Sequence, residues 1–537
     1  MTTTTPSHVL PAGTLPYDEL PKLDAATVAR TESLTKRFMW TSTLFLLIAG
    51  LLGLLLRSHQ AGVIHLPGNA AESANLWYAL MTAHGLGAFV AWAAFFLMGS
   101  LLWLLMRLGF PLRTYLFAEI SYWTMVIGTL GIVVATLIMH FAGSWVPIDP
   151  LPFHSSAQWT DKAAGVFAFS VLLAGVSIIT WCVALIISVT GPAVAGGREG
   201  NSWFGRLGLA LGFGLLWPSR FKNDRDVPYP VIPITVIAIN MFFMTMPFAV
   251  LLVAWVIRAF FDSSFHMDPE LGKNLLWAFG HPVVYLLLFP VVANLYYFIP
   301  RYAKRPLVFG KVVVLAWTIG MLANMFLWAH HMYMDYPDGS TQSVLNFTHQ
   351  PVTFAITLPS ALSLFGLGAT IYRSNFEWNA GSKFMIAGII GWLSAGFQGV
   401  INATIQFNVA VHNTLWIVGH FHHMALLAMG MVIFGVFYAA APTLMHRQLH
   451  SDRLANIHFW GMLIGGYGWV ICWLAQGLDG APRRYDLLPD GFGWNVWTEL
   501  SIPFMVILAV SILVGIYNIW RTATSSPWRV RESATAV

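Results

Sequence analysis

The chain has 537 residues, 57% of them hydrophobic and only 9% charged. Soluble domains carry about a quarter charged residues, and apolar runs of about twenty residues recur here from end to end, so a polytopic membrane protein is expected and a soluble enzyme is excluded. The net charge of +5 implies no nucleic-acid partner, because the basic residues collect in the segments between apolar runs.

Residues 1–36 lack the basic-then-apolar pattern of a cleavable leader and are expected to form a cytoplasmic N-terminal segment. Apolar runs then centre on 37–57, 77–106, 114–142, 163–190, 230–257, 272–300, 308–334, 344–373, 382–405, 414–443, 456–478 and 499–522. Their lengths predict an all-α domain of about twelve transmembrane helices over 37–522, surrounded by membrane lipid, followed by a cytoplasmic tail at 523–537. The shorter basic stretch 203–220 is expected to lie at the interface, and no internal repeat stands out. Cys182 and Cys472 lie in separate apolar runs, which excludes a zinc ribbon or a disulfide framework.

With the N-terminus inside, outer segments hold only Arg57, Lys162, Arg258, Lys273, Arg483 and Arg484 of the 28 Lys and Arg. Inner segments hold the rest, including Lys36, Arg37, Arg206, Lys222, Arg301, Lys304, Arg305 and Arg447. The positive-inside rule then puts both termini in the cytoplasm, in agreement with an even number of spans.

That orientation gives each intramembrane histidine a depth. His84 in the second run, His281 in the sixth, His330 and His331 in the seventh, and His420, His422 and His423 in the tenth all fall toward the outer face. Any one of them could be a core histidine bonded to a carbonyl, but ionisable residues in a membrane are costly, and a whole layer of them points to a site. His420 and His422 are about 200° apart around a helix, so one planar ligand cannot use both, whereas two metal centres flanking the helix fit. His281 and Tyr285 share a face across the ladder-breaking Pro282. His330 and His331 need a third ligand to hold one ion, and His281 is the natural candidate; three histidines with an open position describe a reactive metal site.

At these residues the chain resembles subunit I of the haem-copper oxidases, across all twelve spans. The resemblance implies that His84 and His422 are axial ligands of a low-spin haem and His420 the ligand of a high-spin haem. It assigns His281, His330 and His331 to copper (CuB), and makes Tyr285 the active-site tyrosine that is cross-linked to the histidine at the position of His281. His423 has no family role and is expected to bond a carbonyl or a haem edge. The motif HPVVY, with Val283 where A-type enzymes have glutamate, resembles the B-type branch, as do VHNTLWIVGHFH and APRRY. A single proton channel past Tyr285 is then implied, with Thr353 and Tyr296 matching channel positions. Gln350 and Val292 depart from that pattern, standing where the branch has serine and tyrosine. Arg483, Arg484 and His412 match contacts to haem propionates, with Asn408 replacing an aspartate near one of them.

The function implied is a terminal oxidase: O2 reduced to water by a cytochrome c-like donor, through a partner subunit II carrying CuA, with proton translocation across a prokaryotic plasma membrane. The alternative is nitric oxide reductase of the same superfamily, whose members usually lack the tyrosine and carry glutamates near the copper. A histidine-rich transporter would leave the six ligand positions unexplained.

Overall fold

The computed structural model describes residues 23–144, 158–191, 202–221, 227–308, 310–332 and 348–525. Among them, twelve helices are long and apolar enough to cross a membrane. They are α1 (Ala25–Gln60), α2 (Ala70–Arg107), α3 (Leu116–Ile138), α4 (Asp161–Thr190), α5 (Val231–Phe260) and α6 (Pro269–Ala303), then α7 (Lys311–Met332), α8 (Thr348–Ile371), α9 (Ala380–Ala403), α10 (Leu415–Met445), α11 (Asp452–Leu478) and α12 (Trp494–Thr524). This is the all-α polytopic membrane fold that the hydropathy pattern predicts.

Several spans start where a polar side chain can take the orphan amides of the first turn. Asp24, Thr160, Asp268 and Ser451 each accept from a backbone N–H within three residues, and Asn69 with Glu72 and Asn379 with Ser382 form reciprocal capping boxes. The first helix begins at Ala25, twelve residues before the apolar run near 37. Its early polar turns are held by α3: Thr31 Oγ1 lies 2.8 Å from the Tyr115 hydroxyl, and Arg37 donates to Glu119 at 2.5 Å. The interfacial segment is two short helices, Trp203–Ala210 and Phe213–Leu216, hinged at Gly212 with φ of 81°. Arg57, expected in an outer segment, is instead buried within α1, donating to Ser501 Oγ, Gln60 Oε1 and Gln476 Oε1 at 2.9, 3.1 and 3.0 Å.

Burial singles out the helices that matter. The apolar windows of α2 and α10 are 89% and 83% buried, against 28% for α8 and α12, so the two helices bearing His84 and His420/His422 run through the middle of the bundle. The sixth helix packs against α2, α5, α8, α9 and α10, which brings His281 into the same interior. In a membrane the helices associate through close backbone approach at small residues. A Cβ on Gly391 would lie 2.3 Å from Leu427 O, and one on Gly477 would lie 1.8 Å from Trp416 N. Gly477→Ala therefore forces α10 and α11 apart at the turn before His420. It should destabilise the protein by at least about 1–3 kcal/mol, the usual cost of overpacking, read as a lower thermal midpoint of the solubilised protein; an unchanged midpoint would contradict this packing.

Candidate metal centre

Helix α6 is broken where the sequence places His281. Its α-helical part ends at Gly280, a 3₁₀ turn covers Pro282–Val284, and the α-helix resumes at Tyr285. His330 and His331 stand on a 3₁₀ turn, Leu327–Met332, at the end of α7. These two irregular turns aim three rings at one point. His281 Nδ1 lies 2.8 Å from His330 Nε2 and 3.0 Å from His331 Nε2, and the three ligand atoms all lie within 4.8 Å of one another. Separations near 3 Å are about the edge length of a polyhedron whose ligands sit about 2 Å from one ion.

The hydrogen bonds around the cluster fix which nitrogen is free. Thr353 Oγ1 donates to His349 O at 2.9 Å and so accepts from His330 Nδ1 at 3.0 Å, leaving the His330 Nε2 lone pair facing the cluster. His331 is held by stacking on Trp277, with ring centres 3.7 Å apart and planes 5° from parallel. His281 turns its other nitrogen, Nε2, toward the hydroxyl of buried Tyr285 at 3.4 Å. The donor set and its spacing fit a copper ion.

A second pair of imidazoles lies between α2 and α10. His84 Nδ1 donates to Ala49 O at 2.8 Å and His422 Nδ1 to Val418 O at 2.9 Å, so each ring keeps a free Nε2 lone pair. The rings are 9° from parallel, with centres 6.2 Å apart. Two metal–nitrogen bonds of about 2 Å, plus about 1.1 Å from each nitrogen to its ring centre, give about 6.2 Å, so these two residues would fit an iron ion held between them. Room on this side depends on Gly53, because a Cβ there would sit 2.7 Å from His84 Cε1. Trp473 flanks His422 at 4.4 Å.

His420 faces the opposite side of α10, as the spacing requires. Its Nδ1 lies 3.4 Å from Gln398 Oε1 on α9, and a Cβ on Gly399 would approach its Nε2 only to 4.0 Å. His423, expected to bond a carbonyl or a haem edge, is buried and instead places Nε2 3.0 Å from the Ser394 hydroxyl, with its ring edge-on to Tyr467.

The remaining candidates fall into separate groups. Tyr285 and Tyr296 share one face of α6 about 16 Å apart, with Val292 between them on that face. The Tyr296 hydroxyl lies 2.7 Å from Ser363 Oγ and accepts from Trp317 Nε1 at 3.3 Å. Gln350 stands one turn before Thr353 and is half-buried. Asn408 has its amide committed at both ends: Nδ2 donates to Asn402 O at 2.9 Å, and Oδ1 lies 3.1 Å from His412 Nδ1. Arg483 donates to Asn413 Oδ1 at 3.2 Å, in a loop stitched to the start of α10 by the Thr414–Pro482 bridge. Burial, then the adjacent Arg484 charge, brings its guanidinium down to about 10, so it remains a cation at neutral pH. Arg484 is exposed and positive in φ, and its carbonyl accepts from the Tyr78 hydroxyl at 2.5 Å. Trp277, Gln398, Ser363 and Trp473 carried no signal in the sequence, since each acts by position in the fold.

A family model for cytochrome c and quinol oxidase polypeptide I matches residues 33–514, and the chain belongs to that family, subunit I of the haem-copper oxidases. Cytochrome c oxidase polypeptide 1 of Halobacterium salinarum is 30% identical over 274 residues, 50% of this chain and 45% of that one. Cytochrome c oxidase subunit 1 of Eremothecium gossypii is 29% identical over 261 residues, 48% of this chain and 47% of that one, so the chain matches about half the length of both relatives. A putative cytochrome c oxidase subunit 1-beta of Streptomyces avermitilis is 25% identical over 514 residues, 93% of this chain and 84% of that one. A heme-copper terminal oxidase dimer solved by cryo-EM shares the fold, with a TM-score of 0.75 over 94% of this chain and 86% of its own at 20% identity.

The contact between Thr353 and His330 yields a test. Partners that fix a ligand's tautomer are worth about 10- to 100-fold in metal affinity. Thr353→Val should weaken copper binding by about that factor in chelator competition, and Thr353→Ser should restore it; equal affinities in all three proteins would show that the hydroxyl does not orient His330.

Proposed function

We propose that this chain is the catalytic subunit of a B-type terminal respiratory oxidase. It reduces O2 to water with electrons from a cytochrome c-like donor and translocates protons across a prokaryotic plasma membrane, both termini being cytoplasmic. Electrons enter through a partner subunit II carrying CuA, because Cys182 and Cys472 are buried in different helices and cannot build such a centre here.

In this reading His84 and His422 hold the low-spin haem iron, His420 the high-spin haem iron, and His281, His330 and His331 the copper. When bound, these groups supply the electrons and the position at which O2 is reduced. The chain's own part is to place lone pairs and protons. Ala49 and Val418 hold the N–H of His84 and His422 away from the iron position, and Thr353 does the same for His330. Arg483 offers a charged donor suited to a propionate, and Arg484, His412 and Asn408 complete the rim of that region. Protons reach the site along the face of α6 that carries Tyr296 and Tyr285, with Thr353 beside the copper ligand.

The observation that carries the proposal is the Tyr285 hydroxyl, 3.4 Å from the nitrogen of His281 that points away from the cluster. Cleaving O2 to the level of water takes four electrons, one more than iron and copper readily give, and a phenol there can supply the last with a proton. Nitric oxide reduction is the second reading. It is favoured by Gln350 and by Asn408, whose fully bonded amide cannot carry a proton as the aspartate would. Against it, no Asp or Glu occurs within α7 or α10, and those of α6 stand in its first turn at Glu270.

Side-by-side turnover of O2 and NO by the purified complex with reduced cytochrome c separates the two. Fast O2 consumption that falls about 100-fold or more in Tyr285→Phe, a loss of the size expected for a proton-transfer group, supports the oxidase. Fast NO reduction that Tyr285→Phe leaves intact would overturn it.

A further inference from the structure

Away from the histidines, a groove of about 470 Å³ opens on the lipid-facing side between α9 and α11. These two helices run parallel and start at the same face of the bundle. The groove is walled by Ile386, Ala387 and Ile390 on one side and by Phe459 and Leu463 on the other. From Phe459 to Tyr467 it extends about 12 Å along α11, most of the thickness of one leaflet's hydrocarbon. Its two ends differ. At the end where both helices begin stand Trp378, Trp460 and Lys383; at the other stands Tyr467. The two tryptophans are each 59% exposed, the placement of indoles at a membrane interface.

We infer that this groove binds one acyl chain of an anionic glycerophospholipid, with Lys383 holding the phosphate. Lys383, the one charged residue of the lining, argues for an anionic headgroup. Lys383 Nζ donates to Asn456 Oδ1 at 2.9 Å, and no carboxylate of the described residues lies within 4 Å of it. Exposed Arg453, Asp452 and Glu377 lie outside the lining, so the preference rests on Lys383. Asn456 holds the ammonium beside the mouth, where a phosphate replaces water at small entropic cost. The far end argues for an alkyl chain: there the lining passes from Ile390 and Leu463 to Tyr467, whose ring offers a flat surface to the chain terminus. That ring also lies edge-on to His423, with centres 5.3 Å apart, the residue next to His422. Filling the groove therefore presses on a ring one step from the low-spin haem position.

The test uses the complete complex, delipidated and reconstituted into nanodiscs of phosphatidylglycerol or phosphatidylcholine, with retained lipid counted by native mass spectrometry. Wild type should retain one phosphatidylglycerol with about a five-fold preference over phosphatidylcholine, the effect of one basic side chain at a membrane surface. Lys383→Gln should remove the preference while keeping a lipid. Ala387→Trp, which fills the groove, should abolish retention. The absorption band of the low-spin haem should shift on lipid addition in wild type and not in Ala387→Trp, and an unaltered spectrum of the lipid-free variant certifies its folding. Retention of phosphatidylglycerol that is the same in all three proteins would overturn the proposal, as would equal retention of the two lipids by wild type, the result expected if a partner subunit covers the groove.

Discussion

An imidazole in hydrocarbon must have its N–H accepted by something, and what accepts it decides where its lone pair goes. The interior of this bundle rests on that constraint. Ala49 and Val418 take the N–H of His84 and His422 with backbone carbonyls, and Thr353 takes that of His330 with a hydroxyl already spent on His349. Each bond satisfies a buried donor and leaves a lone pair aimed inward. A buried polar atom without a partner costs about 1–3 kcal/mol, so the network that permits these rings in a membrane is the same one that leaves their lone pairs available.

The backbone departs from α-helix at the same places. The α2 helix becomes π-helical over Gly87–Ala94 just after His84, and α10 does so over His423–Gly430 just after His422. Helices α6 and α7 tighten to 3₁₀ turns at Pro282–Val284 and Leu327–Met332. Each irregularity rotates the residues on one side of it relative to those on the other. The break in α6 falls between His281 and Tyr285, so it sets how the one ring lies against the other. Wider turns at α2 and α10 likewise admit side chains between helices that glycine contacts otherwise hold close.

Most of the architecture was legible because a membrane makes hydropathy nearly sufficient: a span must be long, apolar and helical. The candidate histidines stood out for the same reason, since an ionisable residue in such a run needs a cause. What lay outside that signal was missed. The polar first turns of α1 depend on Tyr115 and Glu119 of another helix. Arg57 reads as a flanking charge, yet it is buried because Ser501 and Gln476, distant in sequence, accept its protons. Trp277 and Ser363 are an ordinary indole and an ordinary hydroxyl until the fold sets them beside His331 and Tyr296. His423 illustrates the limit from the other side: its position was conspicuous, but its partner Ser394 is on α9.

The departures from the B-type pattern concern proton movement rather than metal binding. Val292 sits on the face joining Tyr296 to Tyr285 and offers no hydroxyl, so that stretch of α6 cannot pass a proton through side chains alone. Gln350, a turn before Thr353, carries an amide, which can donate and accept without ionising. Asn408 repeats the substitution near His412: a carboxylate there would face the Asn402 carbonyl without a hydrogen to share, whereas the amide bonds it at 2.9 Å. If the chain is the B-type enzyme proposed, each of these positions carries a group that bonds or packs where the branch has one able to ionise or relay. The metal-binding framework tolerates this because none of the three replacements touches a ligand nitrogen.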